Sequence, residues 1–213
     1  MPRVTVVDYG IGNLLSVARA LEHCGAEVLL ASDPRLIERA DSLVLPGVGA
    51  FADGMAGLRQ RGLIEPIRKY ARSDRPLLGI CLGMQMMLET GEEFGNHDGL
   101  GLIPGKVSAI PLTGTDGQPH KIPHIGWNEL VPPSPATSWK GTILEDIPPG
   151  TAAYFVHSYV AVPTHQKHRL ADCLYDGQVI SAVIRSGSIY GCQFHPEKSG
   201  EAGLAILRRF ISQ

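Results

Sequence analysis

The 213-residue chain is 44% hydrophobic and 19% charged, and its formal net charge at pH 7 is −2. This composition is ordinary for a globular protein and the length suits one full-sized core, so we expect a single domain over residues 1–213. No long run of basic residues is present, which argues against binding to nucleic acid or to an anionic membrane. No apolar stretch approaches the roughly 20 residues that span a bilayer, and the N-terminus lacks a signal-peptide profile.

The first half of the sequence alternates buried strands and helices. Predicted strands cover residues 4–9, 27–31, 42–47 and 76–80. Predicted helices cover residues 13–24, a short segment opened by Asp33-Pro34, residues 55–72 with Pro66 as a kink or restart, and residues 82–90. This alternation predicts an α/β fold with a mostly parallel central sheet and helices on both faces.

After residue 100 the pattern changes to strand-like runs joined by short turns. The runs are KVSAI, NELV, AYFVHSYVA, HRLADCLY, VISAVIRS and SIYGCQF, and a last helix covers residues 200–212. Asp176-Gly177 and Ser186-Gly187 are typical of hairpin turns. The C-terminal half is therefore predicted to be rich in antiparallel strands, which makes the whole sheet a mixed one.

The four cysteines do not make a disulfide framework in a chain of this size, so we interpret them as reduced thiols in a cytoplasmic protein. Cys81 is distinguished by its position between a predicted strand and a predicted helix, in the pattern G-x-C-x-G. The same spacing around serine is the nucleophile elbow of the α/β hydrolases, where a sharp turn exposes the nucleophile. Free cysteines are often only buried filler, so a catalytic interpretation needs a base elsewhere in the chain.

A candidate base lies in the segment GCQFHPEKSG near the C-terminus. In extended backbone, alternate side chains point to the same side, so we expect His195 and Glu197 to face the same way. The carboxylate can then hold one imidazole nitrogen while the other faces a thiol. A cysteine, a histidine and an orienting acid form the arrangement of an activated sulfur nucleophile.

Several motifs resemble those of the class I, or triad-type, glutamine amidotransferases. These are GICLGMQ around the cysteine and HPE at residues 195–197. The segments LPGVGAF at 45–51 and HIGWN at 124–128 narrow the resemblance to the glutaminase subunits of imidazole glycerol phosphate synthase, an enzyme of histidine biosynthesis. The match runs along the whole chain. It implies a single glutamine amidotransferase domain with a flavodoxin-like architecture.

The resemblance implies that Cys81 attacks the side-chain amide of glutamine, that His195 transfers protons and that Glu197 orients His195. Elbow geometry assigns one oxyanion donor to the amide of Leu82, and we expect the second from the loop that contains Val48 and Gly49. Two further groups of residues match positions of known role in the family. The glutamine pocket matches at Gly49, Gln85, His157, Ser158 and Tyr159, and the subunit interface matches at Asn13, Trp127, Tyr154 and Lys198.

The partner implied by the resemblance is a (β/α)₈ cyclase subunit that receives the ammonia through a tunnel. There the ammonia reacts to give imidazole glycerol phosphate and aminoimidazole carboxamide ribotide. The resemblance implies no cofactor and no metal. Because glycine allows either peptide orientation, the loop at 47–49 can present an amide or a carbonyl to the oxyanion position. We therefore expect the isolated chain to be a poor glutaminase that its partner activates.

Other interpretations remain open at the level of sequence. YGIGNLL followed by Asp33 resembles a dinucleotide fingerprint, but Leu15 stands where its third glycine belongs. His165 and His168 have metal-ligand spacing without an obvious third ligand. A non-catalytic binding module, a different thiol hydrolase and a glutaminase of another biosynthetic pathway are the remaining alternatives.

Overall fold

The computed structural model describes residues 1–213, which form thirteen strands and six α-helices. The strands are β1 (Arg3–Val7), β2 (Glu27–Ala31), β3 (Ser42–Gly47), β4 (Leu77–Cys81), β5 (Thr90–Gly91), β6 (His97–Asp98), β7 (Gly105–Ala109), β8 (His124–Glu129), β9 (Ala152–His157), β10 (Tyr159–Pro163), β11 (Arg169–Tyr175), β12 (Gln178–Ser186) and β13 (Ile189–Cys192). The helices are α1 (Leu14–His23), α2 (Pro34–Arg39), α3 (Phe51–Gln60), α4 (Ile64–Ala71), α5 (Leu82–Met86) and α6 (Gly200–Ile211). Single 3₁₀ turns lie at Gln166–His168 and Pro196–Lys198.

Seven strands form the central sheet, in the order β11-β12-β13-β4-β3-β1-β2. All of its neighbours pair in parallel except β12, which runs antiparallel to both β11 and β13. Five of these strands, read as β2-β1-β3-β4-β13, follow the flavodoxin-like order, in which ligands bind at the carboxyl ends of the strands. The predicted fold class, a mixed and mostly parallel sheet in an α/β architecture, is confirmed.

Two apolar clusters cover the two faces of this sheet. One cluster joins alternate strand residues such as Val44 and Ile80 to the apolar sides of α1 and α6. The other joins Leu43 and Leu45 to α2, α3, α4 and α5. Successive residues of β3 thus point into opposite clusters, as the two-residue repeat of a strand requires. Burial on both faces explains why the strands read as nearly continuous apolar runs.

Two helix predictions in the first half were wrong in their bounds. The segment predicted at 55–72 forms two helices, α3 and α4, separated around Gly62, whose φ is +65°. Pro66 does not interrupt a helix, because it occupies the first turn of α4, where no intrahelical N–H bond is lost. The helix predicted at 82–90 ends at Met86, since the chain then turns into the two-residue strand β5.

The C-terminal half is rich in strands, as predicted, and both predicted hairpins form. Asp176 and Gly177 take positive φ values of 46° and 78° between β11 and β12, and β12 turns at Gly187 into β13. The run AYFVHSYVA is not one strand, because it divides at Ser158 into β9 and β10, which belong to different sheets. β8 extends from His124, four residues before the predicted NELV segment. None of the helices has the length and apolarity needed to cross a membrane.

Candidate active site

Cys81 is the last residue of β4 and takes a strained backbone conformation, with φ 52° and ψ −111°. A side chain in this region of conformational space is rare outside glycine, and such strain is characteristic of functional turns. The two flanking glycines allow the turn to pack. A Cβ at position 79 would lie 2.7 Å from the amide nitrogen of Met84, and one at position 83 would lie 1.7 Å from the carbonyl oxygen of Leu45. The predicted elbow and the reason for its glycines are thus found in the structure.

The glycine loop after β3 lies beside this elbow. Parallel pairing of β3 and β4 places Gly47 directly opposite Cys81. The backbone amides of Val48 and Gly49 make no hydrogen bond within the protein, and Gly49 has a φ of +95°. The loop therefore brings free backbone donors to the carboxyl edge of the sheet, where Cys81 ends β4.

Both ends of this loop are held by side chains. The hydroxyl of Tyr9 donates a 2.8 Å hydrogen bond to the carbonyl oxygen of Pro46. At the other end, the carboxylate of Glu93 accepts a 2.7 Å hydrogen bond from the amide of Phe51, the first residue of α3. Burial, and to a lesser degree the charge of Cys81, raises the pKa of Tyr9, so its hydroxyl keeps the proton that it donates. Any change of peptide orientation is thereby confined to the four residues between these two anchors.

His195 and Glu197 form the expected pair, with Nδ1 of the imidazole 2.8 Å from Oε1 of the carboxylate. His195 itself has extended backbone, with φ −99° and ψ 98°, but the prediction that the backbone stays extended to Glu197 is wrong, because residues 196–198 form a 3₁₀ turn. The amide of Lys198 donates to the carbonyl oxygen of His195 and closes this turn. The two side chains meet because the turn brings them together, and not because they share one face of a strand.

The pair is almost wholly buried, with exposed side-chain fractions of 4% for His195 and 1% for Glu197. Nε2 of His195 and Oε2 of Glu197 have no hydrogen-bond partner within the protein. Burial disfavours the imidazolium, but the neighbouring Cys81 and Glu197 side chains outweigh it and raise the pKa of His195 to about 9. The imidazole is therefore held in its protonated form at neutral pH, with Nε2 available to another group.

A cavity of about 500 Å³ adjoins these residues. It brings together Cys81, His195 and all five residues that the resemblance assigned to glutamine binding. The cavity is lined by Val48, Gly49, Ala50, Cys81, Leu82, Gln85, Glu93, Val156, His157, Ser158, Tyr159 and His195. Glu93 is the only carboxylate in this lining. Glu197 lies outside it, behind the imidazole.

Two side chains of the cavity are fixed by one backbone oxygen. The carbonyl of Tyr159 accepts hydrogen bonds from Nε2 of Gln85 at 3.0 Å and from Nδ1 of His157 at 2.9 Å. Because His157 uses Nδ1 as the donor, its Nε2 accepts from Nδ1 of the buried His124, 2.9 Å away. Burial, the largest influence on both rings, lowers the pKa of each histidine to about 4. Both rings are therefore neutral near pH 7, as this chain of hydrogen bonds requires.

The four residues assigned to the subunit interface lie around the catalytic segment. Trp127 pairs across the strands with Tyr154, with ring centroids 5.9 Å apart, and 59% of Trp127 is exposed. Tyr154 shares hydrogen bonds with the catalytic segment, because its carbonyl oxygen accepts from the amide of His195. Asn13 and Glu197 line the same small cavity, and Lys198 is exposed beside them. This aromatic pair, in which Trp127 is exposed and Tyr154 is half-buried, is therefore continuous with the edge of the site.

Four residues that contact the site were not found from the sequence. They are Tyr9, Glu93, His124 and Gln193. Only Gln193 carried a usable local signal, since it stands two residues before His195 in the same segment. The chain contains no group of three or more metal-ligating side chains, and His168 instead bonds the carbonyl oxygen of Arg185 through Nδ1 at 2.8 Å.

The arrangement was compared with known proteins. The family description "Glutamine amidotransferase class-I" matches residues 5–213. The chain belongs to the class I glutamine amidotransferase family. Its resemblance to that family, first drawn from the motifs, is thereby confirmed.

Individual relatives agree with this assignment. The chain is 61% identical over 211 residues to "Imidazole glycerol phosphate synthase subunit HisH 1" of Legionella pneumophila (strain Lens), covering 99% of each protein. It is 45% identical over 210 residues to "Imidazole glycerol phosphate synthase subunit HisH" of Moorella thermoacetica, covering 99% of this chain and 94% of the relative.

Solved structures show the same fold at low sequence identity. A structure described as a glutamine amidotransferase superposes with a TM-score of 0.72 at 16% identity, over 98% of this chain and 99% of the other. PurLQS from Thermotoga maritima gives a TM-score of 0.71 at 20% identity, over 99% of this chain and 98% of that chain. At such identities these likenesses concern the fold alone.

Proposed function

We propose that this chain is the glutaminase subunit of an imidazole glycerol phosphate synthase. It hydrolyses glutamine to glutamate and ammonia, and it passes the ammonia to a (β/α)₈ cyclase subunit. The observation that carries the proposal is the strained elbow of Cys81, which opens into one cavity with His195. The full-length similarity to synthase subunits supports the pathway. Strands from both halves of the sequence form one seven-stranded sheet, which supports treating residues 1–213 as one domain.

The reaction begins with the sulfur of Cys81 attacking the side-chain carbonyl carbon of glutamine. The proton of the thiol passes to Nε2 of His195, whose pKa of about 9 favours the imidazolium. His195 then donates this proton to the leaving nitrogen, which departs as ammonia and leaves a thioester on Cys81. Water, deprotonated by His195, attacks the thioester carbon and releases glutamate and the thiol. Glu197 holds Nδ1 and stabilises the imidazolium throughout.

Negative charge on the tetrahedral intermediates requires backbone donors. The amide of Leu82 follows the nucleophile at the start of α5, as in other elbows. The free amides of Val48 and Gly49 line the same cavity and provide the second donor. A single donor of this kind contributes about 10²–10³ in rate.

The cavity lining suits a free amino acid that carries a side-chain amide. Glu93 provides a carboxylate for the α-ammonium group of the substrate, although one of its oxygens also holds Phe51. Gln85 uses Nε2 in internal hydrogen bonds and therefore offers Oε1 as an acceptor. Gly49, His157, Ser158 and Tyr159 complete the lining that we assign to glutamine.

Trp127 and Tyr154, with Asn13 and Lys198, form the surface that we assign to the cyclase subunit. Trp127 is exposed and Tyr154 is half-buried, and tryptophan and tyrosine are enriched among the residues that dominate interface energetics. The hydrogen bond between Tyr154 and His195 joins this surface to the proposed site, which supports placing there the partner that receives the ammonia.

The test is to measure glutamine hydrolysis by the chain alone and with its cognate cyclase subunit, beside a peptide amide and an ester as competing substrates. We expect glutamate release only from glutamine, and imidazole glycerol phosphate only from the complex. Cys24→Ser is the matched control for Cys81→Ser, because Cys24 is a free thiol outside the cavity. Cleavage of the peptide or ester in preference to glutamine would indicate a different thiol hydrolase, and a productive complex with another synthase would indicate another pathway.

A further inference from the structure

Gln193 is a buried residue beside the proposed nucleophile, with no exposed surface. Its Nε2 lies 3.8 Å from the sulfur of Cys81, and its Oε1 lies 3.1 Å from Nε2 of Gln85. Gln193 is absent from the cavity lining, so a substrate in the cavity does not touch it. Its position therefore points to a function that concerns the sulfur and not the recognition of glutamine.

The orientation of this amide is dictated by the carbonyl of Tyr159. A carbonyl oxygen only accepts, so Gln85 must turn its NH₂ group toward Tyr159, 3.0 Å away. The same NH₂ group faces Gln193, which must then present its oxygen. The NH₂ group of Gln193 is consequently directed at the sulfur of Cys81. The alternative orientation would place two NH₂ groups 3.1 Å apart in the protein interior.

The backbone of Gln193 is fixed as well. Its amide donates a 2.9 Å hydrogen bond to the carbonyl oxygen of Ala182 in β12. The side chain thus extends from the end of β13, which lies next to the strand that carries Cys81. Two neighbouring strands of the sheet therefore set the distance between donor and sulfur.

We propose that Gln193 is a positioning residue that donates a hydrogen bond from Nε2 to the sulfur of Cys81 and so stabilises its thiolate. When the proton of the thiol passes to Nε2 of His195, the electron pair remains on sulfur, and the N–H of Gln193 faces the new negative charge. Hydrogen bonds to an ionised acceptor are about twice as strong as neutral ones, so the bond favours the thiolate over the thiol. The proposal rests on the proposed function only in taking Cys81 as the nucleophile.

The test measures the thiolate directly, without glutamine. Full-length Gln193→Met and Gln193→Glu variants are prepared in a Cys24→Ser background, because Cys24 is the one cysteine that is not buried. Alkylation of Cys81 by iodoacetamide is followed against pH by mass spectrometry of the peptide that contains it. Methionine keeps the length of the side chain but has no hydrogen-bond donor. An ionised glutamate places a hydrogen-bond acceptor against the sulfur of Cys81.

We expect the pH midpoint of alkylation to rise by about one pH unit in Gln193→Met, with slower alkylation than the parent below that midpoint. Gln193→Glu is expected to shift the midpoint further in the same direction. Gln85→Met removes the bond that orients Gln193 but leaves the NH₂ group of Gln193 in place, so it should give a smaller shift of the alkylation midpoint. Thermal unfolding identifies any variant that has lost its fold, and the remaining variants then decide the question.

Alkylation profiles of the Gln193 variants that superpose on the parent would overturn the proposal, even if their glutaminase activity fell. A parent that alkylates normally but does not hydrolyse glutamine would instead count against the proposed function, while the effect of Gln193 on the sulfur could still be read. The two failures are therefore distinguishable.

Discussion

Gly83 lies so close to the backbone of Leu45 that a Cβ at position 83 would stand 1.7 Å from the carbonyl oxygen of Leu45. The contact joins the first turn of α5 to the interior of β3, and it fixes the distance between the elbow and the neighbouring loop. We predict that Gly83→Ala lowers the free energy of unfolding by about 3 kcal/mol or more, because relieving the clash requires one of the two packed backbone segments to shift. Chemical denaturation measures this change.

Gly62→Ala is the matched control for that substitution. Gly62 has a φ of +65° with open space around an added Cβ, so alanine there adds strain without a clash. Strain of this kind costs about 1 kcal/mol. Equal losses for the two variants would show that the contact with Leu45 is not the cause.

Replacing the nucleophile separates the two activities of the proposed complex. We predict that Cys81→Ser abolishes synthesis from glutamine but preserves synthesis from added ammonium salts, since the second reaction takes place on the partner. The measurement is imidazole glycerol phosphate formation from each nitrogen source, with co-purification to verify that the complex has assembled. Loss of both activities in an assembled complex would contradict the division of labour.

The members of the triad are expected to differ in importance. His195 transfers protons to reacting atoms, whereas Glu197 contacts only Nδ1 of His195 and lies outside the cavity. Glu197→Gln should therefore retain more glutaminase activity than His195→Ala, because orienting members of a triad often cost less to remove. Steady-state glutamate release by both variants provides the comparison, and equal inactivity would assign Glu197 a larger part than orientation.

The neutral pair of His124 and His157 should make the protein sensitive to acid. Burial lowers the pKa of each ring from 6.5 to about 4, so between these pH values the unfolded chain binds more protons than the folded protein. Stability is thus full above pH 6.5 and falls as the pH drops toward 4. The loss from His157 alone is about 3 kcal/mol.

Urea unfolding at a series of pH values tests this linkage. His157→Gln should lose about 3 kcal/mol less stability than the parent between neutral and acidic pH, because one protonation step has been removed. His23→Gln is the control, since His23 is exposed at the end of α1. Parallel pH curves for the parent and His157→Gln would show that the buried ring does not control acid stability.

The loop between Pro46 and Phe51 should couple the site to the partner. We predict slow glutamine hydrolysis by the isolated chain, partial activation by the cyclase subunit and the largest gain when the acceptor nucleotide is also bound. Productive orientation of one backbone donor is worth about 10²–10³ in rate, and Gly49, at a φ of +95°, permits both orientations. Equal turnover in the three states would end the gating hypothesis.

Much of the molecule could be predicted because its signals are local. The strands at 27–31 and 42–47 match the structure residue for residue, since apolar runs bounded by turn residues encode buried strands directly. The elbow was also evident, because the glycines on both sides of Cys81 indicate a turn too tightly packed for a Cβ at either flanking position. The segment around His195 and Glu197 yielded two side chains that the structure brings into contact, but its 3₁₀ turn was missed, because the prediction carried extended backbone through to Glu197.

What the sequence by itself determined is therefore most of the elements, the glycine-flanked turn at Cys81 and the pairing of His195 with Glu197. The tertiary structure alone decided which distant groups hold them. Gln193 meets Cys81 across 112 residues of sequence, and Gln85 meets Tyr159 across 74. The first contact exists because β13, the last strand in the sequence, pairs with β4 at the centre of the sheet, and the second exists because α5 packs against β10 of another sheet. A pattern of residue types indicates the periodicity and the burial of one element, whereas the order of strands in a sheet depends on how all the elements pack together.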